Sequence, residues 1–367
     1  MIDIKKYAAY YWLGKISGGK RAVQDDLMSF YGSAEEIWAA GQRGEIGCKT
    51  PGEKDGLTVT SEDIMNRAVE IMKRVSKDGT GVVSRYDDDY PSLLRECDGS
   101  PLLLFYDGDI KGVNRARSRL AVVGSRRCTT YGREMCGKLV SSLEGRDVCI
   151  VSGLARGIDS YAHKAALEAG MFTAAVLGCG TNVIYPGENA GLFAKIREKG
   201  VIISEQPPDT QPFKSYFPAR NRIIAGCSEA ALVIEAGLSS GALITANFSL
   251  NFGREVLTIP HRIDMPEGAG CNDLIKTGAV MVTSPADILE PLGFDCENAR
   301  EKADMLPEAL DRNQREVLYL IKTNGELFED EIACETDMSS QELKRALSAL
   351  EIFGFVKKDF AGKYYAA

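Results

Sequence analysis

Closely spaced cysteine and histidine residues are missing from this chain. Its ten cysteines form no Cys-x-x-Cys pair, and its only two histidines, His163 and His261, are far apart in the sequence. A zinc site needs clustered Cys and His ligands, and a disulfide framework is typical of small secreted chains rather than one of 367 residues. We therefore expect reduced thiols, no metal site and a cytoplasmic location.

Long uncharged apolar runs are also missing. The first ten residues contain none that would precede a small-residue cleavage site, so no secretory signal is expected. No run reaches the roughly 18 apolar residues that a membrane helix requires. The sequence therefore predicts no membrane association.

Positive charge is in deficit. The chain has 44 Lys and Arg against 52 Asp and Glu, a formal net charge of -8. Affinity for nucleic acid comes largely from basic side chains that neutralise phosphates, so an acidic chain is not expected to bind nucleic acid over its general surface. Any nucleic-acid site must be local. The hydrophobic share of 44% and the charged share of 26% are typical of globular proteins, and the length favours two or three domains.

The patterns along the chain predict three folded regions and a linker. Residues 1–80 read as short helices around a Gly-rich turn, a helix-hairpin-helix or SAM-like domain whose turn amides either hold a phosphate or only pack. Residues 81–295 form an extended Rossmann-like domain, residues 296–306 a polar linker, and residues 307–367 a winged helix.

The central region predicts an α/β fold with a doubly wound, mostly parallel sheet, because apolar strand-like runs alternate with helix-like segments. Glycines before the strands are expected as left-handed helix caps, at Gly170, Gly200, Gly253 and Gly278. The predicted strands are Leu120–Gly124, Val148–Gly153, Thr173–Gly178, Val201–Glu205, Ala230–Glu235, Val256–Pro260 and Val280–Thr283. The predicted helices are Gly132–Leu143, Ser160–Ala169, Ala190–Lys199, Ala219–Cys227, Ala242–Phe252 and Asn272–Thr277.

The last region predicts three helices and a short hairpin. Its third helix opens with a capping-box pattern at Ser339–Glu342. That helix carries Lys344 and Arg345 but also Glu342 and Glu351, so reading of DNA bases by the winged helix is disfavoured and contact with a protein is preferred.

The loop after the first strand of the α/β region has the residues of an anion site. Ligands of open parallel sheets bind beyond the carboxyl ends of the strands. Gly124 allows close approach of a ligand, Ser125 and the following amides face a phosphate, and Arg126 and Arg127 add planar donors. These four residues are predicted to bind DNA phosphates.

The loop after the second strand repeats this design. Gly153 and Gly157 open the backbone, Arg156 is a donor, and Asp159 is expected as an N-cap. A fourth loop, Glu235–Thr245, starts a helix whose amides either hold phosphate or only cap it, and the site residues expected there are Ser240, Gly241 and Thr245.

A third basic segment combines arginine with an aromatic side chain, which suits a nucleic-acid strand whose bases stack on rings. Its expected site residues are Phe217, Arg220, Asn221 and Arg222. For Arg222 an alternative stays open, namely an ion pair with Glu205 or Glu235 inside the sheet.

Cofactor binding and catalysis lack their usual motifs. The first loop has arginines where a dinucleotide fingerprint needs Gly-x-Gly-x-x-Gly, and no acidic ribose partner follows the second strand, so no NAD or FAD is expected. Ser152 lacks a nucleophile elbow, and no Walker lysine motif occurs. His163 is interpreted as a structural histidine inside a helix. We therefore expect a binding protein with no cofactor and no catalytic residue.

Several long motifs resemble the DNA-processing protein A (DprA/Smf) family, in order and at family-like spacing over about residues 80–295. They are Val122–Arg126, Ser152–Asp159, Phe217–Gly226, Ser240–Thr245, Gly253–Val256 and Gly270–Ile275. The resemblance implies a protein of DNA uptake and recombination in natural transformation that binds and shields single-stranded DNA. It also implies loading of the RecA recombinase, a homodimer, and DNA contacts by Arg126, Phe217 and Arg220.

One departure from the family pattern follows the sixth strand. The family has Pro-Gly there, whereas Pro260 is followed by His261, a side chain expected to narrow the crevice. The rival interpretation is a nucleotide-processing hydrolase of a related Rossmann-like family. Such enzymes carry a Gly-rich turn with a glutamate on the next helix, and the turn at Gly237–Ala242 lacks that glutamate.

Overall fold

The structure is a computed structural model that describes residues 2–46, 61–294 and 310–366. The chain divides into two compact units, Met1–Phe294 and Asp295–Ala367. The boundary expected near residue 80 lies inside the first unit. The predicted linker 296–306 lies outside the described residues.

A nine-stranded sheet organises the described part of the first unit. Its order is β1-β2-β6-β5-β4-β3-β7-β8-β9; β1 and β2 pair antiparallel with their neighbours, and all other pairs are parallel. The strands are β1 Gly81–Ser84, β2 Leu103–Gly108, β3 Ser118–Val123, β4 Val148–Ser152, β5 Thr173–Leu177, β6 Val201–Ser204, β7 Ala230–Val233, β8 Glu255–Thr258 and β9 Val280–Met281. The strand order reverses at β3, which creates a topological switch point between β3 and β7.

Helices cover both faces of this sheet. They are α5 Ser92–Glu96, α6 Lys111–Arg115, α7 Thr130–Ser141, α8 Ile158–Glu168, α9 Ala190–Lys199, α10 Tyr216–Gly226, α11 Ala242–Asn251, α12 Ala269–Lys276 and α13 Ala286–Leu289. The Rossmann-like prediction is confirmed, and each predicted strand and helix between residues 118 and 283 is present with ends within three residues of the expected ones.

Alternation of apolar side chains divides the core between the two faces. Val123 of β3 and Val233 of β7 pack with Ile223 of α10, whereas Ile202 of β6 packs with Ile196 of α9 on the other face. Both faces of a parallel sheet are buried by its crossover helices, which explains why the strands read as continuous apolar runs.

The glycine caps follow the prediction at three of four positions. Gly170, Gly253 and Gly278 have positive φ angles of 66°, 68° and 107°. The prediction was wrong for Gly200, whose φ is -147°. Glycine is needed there because a Cβ would overlap the carbonyl of Thr173 on the neighbouring strand.

Within residues 2–46 and 61–80, four helices precede the sheet and pack on β1 and β2: α1 Ile4–Ile16, α2 Arg21–Tyr31, α3 Ala34–Gln42 and α4 Ser61–Asp78. In the segment between α1 and α2, the amides of Ser17, Gly18 and Gly19 donate to carbonyls in the last turn of α1, and the amide of Lys20 donates to the carbonyl of Ser17. Arg21 donates to the carbonyl of Cys97 at 2.6 Å. These bonds favour the packing alternative over a phosphate site in the turn.

Residues 310–366 of the second unit contain α14 Arg312–Asn324, α15 Glu329–Glu335, α16 Ser340–Ile352 and the hairpin β10 Val356–Lys358 with β11 Tyr364–Ala366. Ser339 and Glu342 form the predicted capping box on α16. Leu318, Leu347 and Val356 share a separate core. These elements occur in the order predicted for a winged helix, and that assignment remains a prediction.

Candidate nucleic-acid interface

A large open cavity lies at the switch point, where the loops after β3 and β7 meet. This crevice has a volume of about 960 Å³. Its walls come from segments 123–127, 212–224, 237–245 and 266–267, together with Ala155, Asp159 and Tyr185. Because strand ends and helix N-termini converge there, the sheet topology itself creates the site.

The backbone of the first loop is closely packed. A Cβ on Gly124 would lie 2.6 Å from Ile158, so only glycine lets the loop pass α8. Ser125 donates its amide to the carbonyl of Glu235 at 2.7 Å, and the amide of Arg127 donates to the Ser125 hydroxyl at 3.2 Å. The expectation that these two amides face a phosphate was therefore wrong.

The arginine side chains of this loop are the available donors. Arg126 and Arg127 are exposed and have no ion-pair partner among the described residues. The Arg126 guanidinium lies 5.7 Å from the ring centroid of Phe217. Arg126 therefore combines with an aromatic face at the crevice wall, and its charge stays free for an anion.

The second loop has a different role from the one expected. Gly153 is buried, and a Cβ there would overlap the guanidinium of Arg220, so this glycine makes room for a side chain rather than for a ligand. Gly157, with φ 74°, is the N-cap of α8; Asp159 was expected in that position and lies inside the helix.

Arg156 and Gly157 do not line the crevice. They belong to a neighbouring cavity of about 750 Å³ between α8 and α9, the side groove. Arg156 forms an exposed ion pair with Glu188 at 2.9 Å. Of the second-loop residues named in the sequence, Asp159 lines the crevice, Arg156 and Gly157 line this groove, and Gly153 lines neither cavity.

The third segment places its two arginines in opposite environments. Arg220 lines the crevice but is 6% exposed, and it donates to the carbonyl of Val176. Burial lowers the pKa of Arg220, with Asp159 acting in the opposite direction. Arg222 does not line the crevice; it forms an ion pair with Glu205 at 2.7 Å and donates to Gly99 at 2.9 Å. The prediction of a DNA contact by Arg222 was wrong, and the ion-pair alternative with Glu205 holds.

The remaining predicted residues line the far wall of the crevice. Asn221 donates to the carbonyl of Gly241 at 3.1 Å, which ties α10 to the start of α11. The Ser240 hydroxyl accepts the amide of Ala242, the first residue of α11, at 3.3 Å. Thr245 is 1% exposed and contributes to the floor.

Several crevice residues were missed in the sequence, among them Lys214, Tyr185 and Asp159. Lys214 is exposed on the wall, and Tyr185 lies 5.4 Å from Phe217 between ring centroids. Lys214 stands three residues before Phe217, a spacing that the sequence shows. Asp159 is 6% exposed, and burial raises its pKa while Arg220 and Arg126 act in the opposite direction. No sequence pattern distinguishes such a buried acid from a helix cap.

Glu235 and His261 support the crevice from behind. Glu235 is fully buried and accepts the amide and the hydroxyl of Thr129, at 3.1 and 2.6 Å. His261 does not line the crevice, so the expected narrowing was wrong. Its ring contacts the carbonyl of Ile234 at 2.8 Å and packs edge-on against Tyr131.

His163 is a structural histidine, as interpreted from the sequence. The Thr173 hydroxyl donates to the carbonyl of Ile150 at 2.8 Å, so its oxygen accepts from Nδ1 of His163 at 2.7 Å. Burial, followed by the charge of Arg220, lowers the pKa of His163 to about 3.

Among the described residues, no group of three or more His, Cys, Asp and Glu side chains is arranged to hold a metal ion. Within the same residues, no helix has the length and apolar character needed to cross a membrane.

The sheet, its switch point and the crevice define a Rossmann-like binding protein. The family model described as DNA recombination-mediator protein A matches residues 81–293, and the chain belongs to that family, DprA/Smf. Membership assigns it to DNA processing in recombination.

Known relatives agree with this assignment. DNA processing protein DprA from Streptococcus pneumoniae is 44% identical over 57% of this chain and 73% of its own; its X-ray structure covers 80% of this chain and 99% of that chain, with a TM-score of 0.67 and 34% identity. Protein Smf from Escherichia coli is 45% identical over 56% of this chain and 54% of its own. A structure of DNA processing protein A from Helicobacter pylori covers 58% of this chain and 95% of that chain, with a TM-score of 0.52 and 27% identity. That structure describes the single-stranded DNA binding mode of the Helicobacter pylori protein.

Proposed function

We propose that this chain binds single-stranded DNA in the crevice at the switch point. The observation that carries the proposal is the exposed guanidinium of Arg126, which lies over the ring of Phe217 and has no ion-pair partner in the described part of the chain. Single strands are held by basic side chains on the backbone and by aromatic rings on which bases stack. The crevice offers both at one wall.

The local charge of the crevice is opposite to that of the whole chain. Its lining has four basic side chains, Arg126, Arg127, Lys214 and Arg220, against two acidic ones, Asp159 and Glu267. The chain as a whole carries -8. This excess of positive charge supports binding of phosphates at this place and not over the general surface.

The aromatic side chains support stacking without a sequence code. Tyr185 and Phe217 form one ring pair, and Phe213 and Tyr216 form a second with centroids 5.8 Å apart. Phe213 is 63% exposed. Every base has a face that can stack, so the affinity should depend little on base sequence.

The proposal extends to the wider role of the family. Bound strands are shielded and passed to the RecA recombinase, in DNA uptake and natural transformation, and the chain acts as a homodimer without enzymatic activity in the cytoplasm. Family membership supports this part, and the Helicobacter pylori relative with its single-stranded DNA binding mode supports the first step.

Fluorescence anisotropy with labelled oligothymidine tests the crevice. Arg126→Gln should weaken binding roughly fourfold near physiological salt, because one phosphate contact on a single strand contributes about 0.7 to the log-log salt slope. Phe217→Leu should weaken binding about tenfold through lost stacking. Arg220 is avoided because its removal leaves buried Asp159 without its nearby positive charge.

Arg74→Gln is the matched control, since Arg74 is exposed on α4 and does not line the crevice. It makes the same charge change and should leave the affinity unchanged. Binding by the wild type together with unaltered affinity in both crevice variants would contradict the proposal.

A further inference from the structure

A second cavity continues from the crevice along one face of the sheet. The side groove runs between α8 and α9 and has a volume of about 750 Å³. Arg126 and Arg127 line both cavities, so they form a ridge shared by crevice and groove. A Cβ on Gly157 would overlap the carbonyl of Ser125, so this glycine allows the ridge to rest directly on α8.

The cross-section of the groove suits a nucleotide chain. Its floor contains Leu167 and Leu192, which pack on the apolar core beneath. Lysines stand above the floor at Lys164 on α8 and Lys195 on α9, both exposed. The apolar floor matches the bases of a single strand, and the basic rims match its phosphates. Tyr161 adds an aromatic face on which a base can stack.

The acidic side chains of the groove do not cancel its positive charge. Six basic residues line it against three acidic ones. Glu188 is held by Arg156 at 2.9 Å, and Glu168 lies 3.8 Å from Lys164. Both pairs are exposed, and exposed pairs contribute only about 0–1 kcal/mol, so a phosphate can replace the carboxylate.

The length of the groove sets its capacity. The lining residues of α8 extend from Ser160 to Glu168, about 12 Å at 1.5 Å per residue. A stacked strand advances about 3.4 Å per nucleotide, so about four nucleotides fit.

We propose that the side groove between α8 and α9 is a second single-stranded DNA subsite, in which the strand leaving the crevice over Arg126 and Arg127 continues for about four nucleotides. The inference rests on the proposed function of the crevice. It adds that Lys164, Lys195 and Tyr161 contact DNA although they lie outside the crevice.

A length series of oligothymidines, from about four to about twenty nucleotides, tests the subsite. The double variant Lys164→Gln, Lys195→Gln should match the wild type on the shortest strands and bind the longest on the order of tenfold more weakly near physiological salt, because two phosphate contacts are lost. The control Lys77→Gln, Lys138→Gln changes the net charge equally at exposed positions outside both cavities and should match the wild type at every length.

A second readout uses the wild-type chain. Oligothymidine with one 5-iodouracil should photo-crosslink to Tyr161 from one end of the strand and to Phe217 or Tyr185 from more central positions. Equal affinity of the groove variant and the wild type at all lengths, or crosslinks confined to Phe217 and Tyr185, would overturn the subsite and leave the crevice proposal intact. A wild type that binds no strand of any length overturns both proposals.

Discussion

Arg126, Arg220 and Arg222 have the same side-chain chemistry but three different environments. Arg126 is exposed over an aromatic ring, Arg220 is buried against a carbonyl, and Arg222 is neutralised by Glu205. Burial and pairing decide which guanidinium can meet a phosphate, because an ion pair already satisfies part of the charge and the donors. Of these three arginines, Arg126 is the one that combines exposure with a charge that no described residue neutralises.

His163 gives a prediction at the same scale. An unfolded histidine titrates near 6.5, whereas the pKa of folded His163 is about 3 because the ring is buried. Between these pH values the unfolded chain binds a proton that the folded chain does not. The free energy of unfolding therefore decreases as the pH is lowered below about 6.5, by up to ~1.4 kcal/mol per pH unit.

The variant His163→Leu removes this titration together with Nε2, a buried nitrogen that has no hydrogen-bond partner among the residues the structure describes. Urea unfolding at several pH values should show similar stability of variant and wild type near pH 7.5 and a growing advantage of the variant as the pH is lowered to about 5. A constant difference between the two across that range would show that His163 does not titrate on unfolding.

At the scale of elements, the start of helix α8 determines the position of the loop after β3. The first loop lies on the N-terminus of α8, and that contact depends on Gly157, whose φ of 74° and lack of a Cβ are both required. The crevice and the side groove share the arginines of this loop. The geometry of one helix start therefore determines the position of both cavities.

Gly157→Ala should lower the free energy of unfolding by about 2–3 kcal/mol, because a non-glycine residue is strained in this backbone region and its Cβ overlaps the first loop. Gly137→Ala is the matched control inside α7, where a Cβ meets nothing within 4 Å, and it should stabilise by about 0.5–1 kcal/mol. Chemical denaturation measures both. Equal effects of the two substitutions would show that Gly157 is not under strain.

At the scale of the whole molecule, the crevice and the side groove belong to the first compact unit. That unit has its own core on both faces of the sheet, and the second unit has another. The net charge of -8 is spread over the chain, so the basic crevice is a local exception. DNA binding and the function of the second unit should therefore be separable.

A chain ending at residue 294 should fold and bind oligothymidine with an affinity within roughly twofold of the full chain, the limit of about 0.4 kcal/mol for independent parts. Anisotropy titrations of both chains over a salt series should also give the same log-log slope, since the same phosphates are contacted. A shallower slope for the shortened chain would mean that the second unit contacts the strand.

The sequence by itself determined the alternation of strands and helices, the places of the loops after the strands, and the family motifs, because apolar periodicity and glycine positions are local properties. Only the tertiary structure decided that the amide of Ser125 donates to the carbonyl of Glu235, that Gly153 leaves room for the Arg220 side chain, and that Arg222 forms an ion pair with Glu205. These contacts join residues 17 to 110 positions apart in the chain. Their partners depend on strand order in the sheet, which no local pattern specifies.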